Sequence, residues 1–277
     1  MATAAIPTAP ARTPAVPPAS RRPGLPGALR SELTKFLSVR STYWTLLVQV
    51  VASVGWAVLY CEGLASHTSA GERPDGTFAS LMGQVALGEL VIVVLGALVI
   101  TSEYSTGMIR TSLSVMPRRG VLYAAKATVF AAVTLVISVV TSFADFFIGQ
   151  AILSGKHFNA TLSQPGVLRA VLLSGAVVAV FGLLAYGAGA IIRHTAGAIT
   201  AMIGVIFLVP LLGQALPTDW YHDIVRWLPG GQALSSIASV SRVSPFLFSA
   251  WGEFAVFSGY AAILLAVGAW LFIRRDA

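Results

Sequence analysis

Residues 103–126, EYSTGMIRTSLSVMPRRGVLYAAK, form a polar and basic stretch between two apolar segments that are each long enough to cross a bilayer. The stretch carries four basic residues and a single acidic residue, Glu103. Loops that are rich in Lys and Arg and that join membrane spans stay on the cytoplasmic side. The stretch therefore predicts a cytoplasmic loop of a polytopic membrane protein, and a loop of this kind can offer a docking surface to a soluble partner.

Composition places the chain among integral membrane proteins. Of its 277 residues, 56% are hydrophobic and 10% are charged, whereas about a quarter of the residues in a soluble domain are charged. One large soluble core would leave too few ionisable side chains to cover its surface, and it would not explain apolar runs of about 20 residues. The runs cover residues 43–64, 79–102, 127–149, 168–190, 196–215 and 254–273. We therefore predict an all-α polytopic protein with six transmembrane helices, since no alternating β-barrel pattern is visible.

The basic residues indicate the orientation of the chain. Thirteen of the 18 Lys and Arg residues fall before the first span, in the 103–126 loop, in the turn at Arg193 and at the carboxyl end. The other five are Arg73, Lys156, Arg169, Arg226 and Arg242. The positive-inside rule thus places both termini in the cytoplasm, as an even number of spans requires. The net charge of +7 is then an insertion signal and an attraction to anionic membrane lipid, and we expect no nucleic-acid binding.

The chain before the first span divides into two parts. Residues 1–27 are rich in Pro and Ala and contain no apolar core, which predicts a disordered tail. Over residues 28–42, apolar side chains recur with helical spacing and charged side chains take the other face, as in a helix that lies in the membrane interface. We predict an amphipathic elbow helix there, either a lipid anchor or a contact for a cytosolic partner, followed by one transmembrane domain over residues 43–277.

The 103–126 loop is predicted to contain a short helix. Ser105 or Thr106 can cap its amino end and Pro117 stops it. The segment is either a docking surface or an ordinary basic loop that fixes topology. The turn at Arg193 is either a second inward contact or a topological anchor. The side chains that we assign to this surface are an apolar stripe of Ile109, Leu113 and Met116, ringed by Arg110, Arg118 and Arg119.

Two segments of this chain resemble the bacterial type-2 ABC exporter permeases. Residues 31–46, SELTKFLSVRSTYWTL, are similar to the elbow of that family, and residues 103–126 are similar to its E-Y-x-x-G-x-I-R loop between spans two and three. The resemblance implies that this loop carries a coupling helix that docks on an ATPase. The chain has Met108 where the family often has Thr. The matching positions are Glu103, Gly107, Ile109, Arg110, Thr111, Pro117, Arg118 and Lys126.

The resemblance also implies partners and a location. The permease would work with two copies of a cytosolic ABC ATPase, which would bind ATP and Mg, and with a second permease subunit of the same or a different chain. It would lie in the bacterial cell membrane. The sequence contains no G-x-x-x-x-G-K-[ST] phosphate loop, so we expect no ATP hydrolysis by this chain itself. Its single cysteine and four scattered histidines predict no metal site, and we expect no cofactor in this chain.

Ionisable and hydroxyl side chains inside the spans are candidates for a transport path. Glu89 lies near the middle of the second span, where a charge costs about 2.5 to 3.5 kcal/mol, so it should face the bundle. In the third span, polar residues recur every three or four positions, which predicts one polar helix face. This face either lines a translocation route or holds helices together through hydrogen bonds. Its members are Thr134, Ser138, Thr141 and Asp145.

Three classes of function fit these observations. The first is an ABC exporter permease, and the composition of its spans favours a drug-like or lipid-like amphiphile as cargo. The second is a proton-coupled secondary transporter that uses Glu89 or Asp145 as its proton site. The third is a membrane scaffold or a lipid-modifying enzyme.

Overall fold

The computed structural model describes residues 24–69, 74–115, 118–156, 158–215, 217, 220, 223–228, 231–240 and 244–275, and for residues 110, 112, 113, 115 and 231–233 the backbone alone. Most of the predicted amino-terminal tail, Met116 and the predicted helix stop at Pro117 lie outside the described residues. The described part of the chain is helical and contains no strand. The helices discussed below are α1 (Leu25–Ser38), α2 (Arg40–His67), α3 (Gly76–Ser105), α4 (Met108–Val115), α5 (Arg119–Ile152), α6 (Val167–Ile192), α7 (Thr195–Gly213), α8 (Gly231–Ala238) and α9 (Ala250–Arg274).

Six of these helices, α2, α3, α5, α6, α7 and α9, are long and apolar enough to cross a membrane, which confirms the predicted all-helical six-span class. The chain is a multi-pass membrane protein. Helix α6 is the centre of the bundle: it packs against α3, α5 and α9, and 67% of its most apolar window is buried, compared with 28% for α2. Helix α2 is therefore a peripheral helix, and much of its surface faces outward.

Helix α1 precedes the first span, at the place of the predicted elbow helix. It ends at Ser38, because Val39 is extended, and Arg40 already belongs to α2. The predicted boundary at residue 42 therefore falls inside α2. The placement of α1 in the membrane interface stays a prediction.

Helices α3 and α6 approach each other at two glycines. A Cβ built on Gly96 would lie 2.2 Å from the carbonyl oxygen of Gly182. Any side chain at residue 96 must therefore push the two backbones apart, and close packing tolerates such insertions poorly. The contact explains why α3 lies directly on the central helix.

We expect Gly96→Ala to destabilise the folded subunit by about 1–3 kcal/mol, because the added methyl group meets backbone. Gly55→Ala in α2 is the matched control, since a Cβ at Gly55 meets nothing within 4 Å and alanine favours a helix over glycine. Thermal unfolding of both purified variants in detergent measures the difference. Equal melting temperatures for Gly96→Ala and the unmodified chain would refute the close contact.

The bundle has two distinct ends. One end, here called the α4 end, brings together α1, the last turn of α3, α4, the first turn of α5 and the last turn of α9. Contacts between elements join it: Arg119 Nη1 donates to the carbonyl oxygen of Arg275 at 2.7 Å, and Thr195 Oγ1 donates to Thr101 Oγ1 at 2.8 Å. At the opposite end, Asp75 Oδ2 accepts from the amide of Val240 at 3.0 Å. The first and the last described helices, α1 and α9, thus reach the α4 end, on the side of the described part of the 103–126 loop.

Candidate functional site

Four charged side chains meet at the α4 end and form what we call the ionic cluster. Glu32 and Lys35 come from α1, Glu103 from α3 and Lys126 from α5. Lys126 Nζ donates to Glu32 Oε2 at 2.6 Å and to Glu103 Oε1 at 2.8 Å. Lys35 Nζ lies 2.9 Å from Glu32 Oε1 and 3.6 Å from Glu103 Oε1. The cluster thus ties three helices together at the point where α3 leads into the loop.

Burial and pairing act in opposite directions on the cluster. Burial alone would raise the pKa of Glu32, but the ammonium groups of Lys126 and Lys35 outweigh it, and the pKa of Glu32 is lowered. Burial alone would lower the pKa of Lys35, but Glu32 and Glu103 outweigh it, and the pKa of Lys35 is raised. Both shifts favour the charged forms, so Glu32 and Lys35 are both charged near neutral pH.

The connection between α3 and α4 differs from the sequence prediction. Ser105 and Thr106 do not cap α4, because both hydroxyl groups donate back to the carbonyl oxygen of Ser102, at 3.1 and 2.7 Å. They end α3 instead. Gly107 follows with φ +71°, a backbone conformation that suits glycine far better than other residues. The predicted position Gly107 therefore acts as the turn that sets the direction of α4.

One residue of the predicted docking stripe, Ile109, faces the bundle. Ile109 is 3% exposed and packs in an apolar cluster with Ala28, Leu122 and Phe272. In this conformation the Ile109 side chain fixes α4 to the bundle, and its role in docking stays a prediction. Among the described side chains of α4, those that face outward are Met108, Thr111 and Ser114.

The other predicted coupling residues have different environments. Glu103 is buried in the ionic cluster, so it holds the loop in place and presents little surface to a partner. Arg118 is exposed at the start of α5. The Arg193 guanidinium lies 4.9 Å from the centre of the Tyr104 ring, and Arg193 ends α6 with φ 59°, so it links α6 to α3. Arg110 and Leu113 belong to α4, but their side chains, and all of Met116, lie outside the description.

The predicted polar face of α5 is buried within the bundle. Thr134, Ser138, Thr141 and Asp145 are at most 1% exposed. Ser53 Oγ of α2 donates to Asp145 Oδ2 at 2.6 Å. In this conformation the hydrogen bonds of this face support its role in holding helices together, and its role in a transport path stays a prediction.

Two glutamines that the sequence analysis did not identify complete this polar region. Gln49 Nε2 of α2 donates to Gln84 Oε1 of α3 at 3.2 Å, and Gln84 Nε2 donates to the carbonyl oxygen of Ser138 at 2.6 Å. Thr141 Oγ1 donates to Gln49 Oε1 at 3.3 Å. The sequence could have indicated both residues, because a glutamine inside an apolar span must find hydrogen-bond partners for its amide away from water.

Glu89 faces the bundle interior, as expected of an ionisable side chain inside a span. It directly follows a π-helical turn at Gln84–Gly88 and is 2% exposed. Its Oε2 atom has no hydrogen-bond partner within the described residues. No described hydrogen bond joins it to Asp145, the other candidate proton site of the sequence analysis.

Glu32 and Lys35 are the members of the ionic cluster that the sequence analysis did not assign to the site. It placed them only on the charged face of the elbow helix. The sequence signal was that acidic residues are scarce, 11 in 277, and that an acid and a base three positions apart can pair on one helix face. That their partners would be Glu103 and Lys126 required knowing which helices pack together.

Comparison with known families gives a match over most of the chain. Residues 49–277 match the family described as ABC-2 family transporter protein. Comparison with curated proteins gives no match. The matched region contains five complete spans, α4, Glu103 and Lys126, whereas α1 with Glu32 and Lys35 precedes it.

Proposed function

The chain belongs to the ABC-2 family of transporter proteins, and from this premise we propose that it is the membrane permease subunit of an ABC exporter, driven by a separate ATPase chain. The absence of a phosphate loop from the sequence supports this division of labour. The coupling surface is the α4 end, at residues 103–126. ATP and Mg bind to the ATPase and not to this subunit.

One observation carries the proposal: α4 is a short helix with one face fixed and the other face outward. Ile109 anchors the inner face in an apolar cluster, and Glu103 at the end of α3 is held by Lys126. Thr111 and Ser114 face outward. A force applied to the outer face would therefore be transmitted to α3 and α5, because these contacts hold the inner face of α4 against the bundle.

The proposed assembly contains two ATPase copies and a second permease subunit in a bacterial cell membrane. The closing and opening of the ATPase pair on ATP would alternate the access of the permease pair. Helix α2 presents large exposed apolar side chains, among them Trp44, Val51 and Leu59, and these fit membrane lipid or the second subunit. The apolar spans favour a drug-like or lipid-like amphiphile as cargo.

Purification of the tagged subunit from its native membrane in mild detergent tests the proposal. We expect a stoichiometric ATPase chain with a phosphate loop to purify with it, and ATP hydrolysis in the complex but not in the isolated subunit. Uptake driven by a pH gradient in vesicles that contain the isolated subunit alone would overturn the proposal and favour a proton-coupled transporter. The Glu89→Gln and Asp145→Asn variants would then identify the proton site.

A further inference from the structure

A cleft of about 440 Å³ opens at the α4 end, between α1, α2, α3 and α5. Part of its lining is apolar and includes Leu95 and Val99 of α3. Another part is the junction between α1 and α2, where Val39, Ser41 and Thr42 line the cleft. The cleft thus connects apolar surface of the bundle with the amino end of a membrane span.

The amino end of α2 offers backbone donors that have no partner. Helix α2 begins at Arg40, its N-cap residue Val39 makes no side-chain hydrogen bond to the helix, and its first turn contains no acidic residue. The amides of Arg40 and Ser41 have no acceptor within the described residues. Unpaired N–H groups at a helix amino end point outward along the axis and carry partial positive charge. Such an end binds anions, phosphate in particular.

One side chain at this end supplies a further donor that faces the cleft. Thr42 is 7% exposed and lines the cleft. Its hydroxyl group makes no hydrogen bond within the described residues, yet the oxygen retains accessible surface, so a ligand in the cleft can reach it. Polar groups on so buried a side chain normally have a partner. Thr42 therefore indicates, independently of the helix end, a ligand that brings an acceptor oxygen.

The amino end of α2 lies at the level of lipid head groups. Tyr43 and Trp44, in the same turn, are exposed, and exposed aromatic residues of this kind mark the membrane–water interface. The carboxylates of Glu32 and Glu103 also line the cleft, but Lys126 Nζ contacts them at 2.6 and 2.8 Å. An anion at the amino end of α2 therefore meets carboxylates whose charge is already opposed by an ammonium group.

We propose that the cleft binds a lipid that carries a phosphate monoester, that is, a phosphatidic acid of the leaflet at the α4 end. The amides of Arg40 and Ser41 and the hydroxyl group of Thr42 donate to the phosphate, and the acyl chains run along Leu95 and Val99. A monoester offers three non-bridging oxygens to these three donors, whereas the phosphodiester of other phospholipids offers two. The inference requires only that the chain lies in a membrane, so it is independent of the proposed coupling to an ATPase.

The test is a competition in mixed micelles. The purified full-length subunit is equilibrated with equal amounts of phosphatidic acid, phosphatidylglycerol and diacylglycerol that carry the same acyl chains, re-isolated, and its bound lipid is quantified by mass spectrometry. We expect about tenfold enrichment of phosphatidic acid over phosphatidylglycerol, the ratio for one additional charge-assisted hydrogen bond, and a larger enrichment over diacylglycerol. Equal uptake of phosphatidic acid and either competitor would overturn the proposal.

A repeat of the competition with excess inorganic phosphate separates the lipid from the free ion. The enrichment of phosphatidic acid should persist, because burial of the acyl chains along the apolar lining adds to its affinity. Loss of the enrichment would show a site for free phosphate and would overturn the assignment to a lipid.

Two threonines of α2 give a matched pair of variants. Thr42→Val keeps the shape of the side chain and removes the donor, so the enrichment over phosphatidylglycerol should disappear while the protein stays folded. Thr45 lines the same cleft, but its hydroxyl group already donates to the carbonyl oxygen of Ser41 at 2.9 Å, so Thr45→Val should retain the enrichment. Equal enrichment in the two variants would contradict the role of Thr42.

The backbone donors are tested at Arg40. Arg40→Pro removes the amide N–H at the first position of α2, where a helix accepts proline, and Val39 before it is already extended, with φ −84° and ψ 113°, as proline requires of its predecessor. Arg40→Ala is the control, because it removes the same side chain and keeps the N–H. We expect a weaker enrichment in Arg40→Pro than in Arg40→Ala. The same enrichment in both would contradict the assignment of the amino end of α2.

Discussion

Replacement of Lys126 by methionine is expected to destabilise the folded subunit by about 3–5 kcal/mol, the cost of breaking a buried ion pair by removing one partner. The side chain of Lys126 is 9% exposed, and those of its two partners, Glu32 and Glu103, are 5% and 8% exposed. Methionine preserves the apolar stem but leaves two carboxylates to share the single ammonium of Lys35. The melting temperature of the purified subunit in detergent measures the loss.

The matched control replaces an exposed lysine in place of a buried one. Lys156, an exposed lysine at the opposite end of the bundle, should tolerate methionine with a change below about 0.5 kcal/mol. Glu103→Gln in the Lys126→Met background should restore part of the lost stability, because a single carboxylate then faces the ammonium of Lys35. A melting temperature of Lys126→Met equal to that of Lys156→Met would show that the ionic cluster does not hold the α4 end together.

The effect of Lys126 extends beyond stability. Lys126 links α1 to α3 and α5, and the same helices carry the apolar cluster that anchors Ile109. Loss of the cluster should therefore loosen α4 even in protein that remains folded. The single buried ammonium group of Lys126 thus helps to hold the surface that we propose for ATPase docking.

The six-span architecture could be predicted because it depends on local properties of the sequence. Apolar runs of about 20 residues, interrupted by charged loops, require helices that cross a bilayer. The burial of Glu89 and of Asp145 could be predicted for the same reason, since a charged side chain inside a span avoids lipid. Each of these inferences needs only the residue and its depth in the span.

The roles of the loop residues could not be predicted in the same way. Ile109 belongs to an amphipathic pattern, but the pattern does not say whether its apolar face meets the bundle or a partner. The structure decides this, since α1 and the end of α9 supply the apolar cluster that covers Ile109. The partners of Glu103 lie 23 and 68 positions away, at Lys126 and Lys35, and only tertiary packing brings them together.

Replacement of Thr111 by tryptophan is expected to weaken the binding of the ATPase at least about tenfold, as a bulky change at the centre of an interface does. Thr111 is exposed on the outer face of α4, between Met108 and Ser114. The change adds volume without disturbing the inner face that holds Ile109, so the melting temperature of the subunit should stay unchanged. Loss of binding in a folded subunit separates docking from stability.

The most direct test of the α4 end as the docking surface is a binding titration of the ATPase against three forms of the purified subunit: unmodified, Thr111→Trp and Ser154→Trp. Ser154 is an exposed serine at the opposite end of the bundle whose hydroxyl donates to a backbone carbonyl, as that of Ser114 does. The account predicts that Thr111→Trp loses affinity and that Ser154→Trp binds as the unmodified subunit does. Unchanged binding by Thr111→Trp together with impaired binding by Ser154→Trp would contradict it.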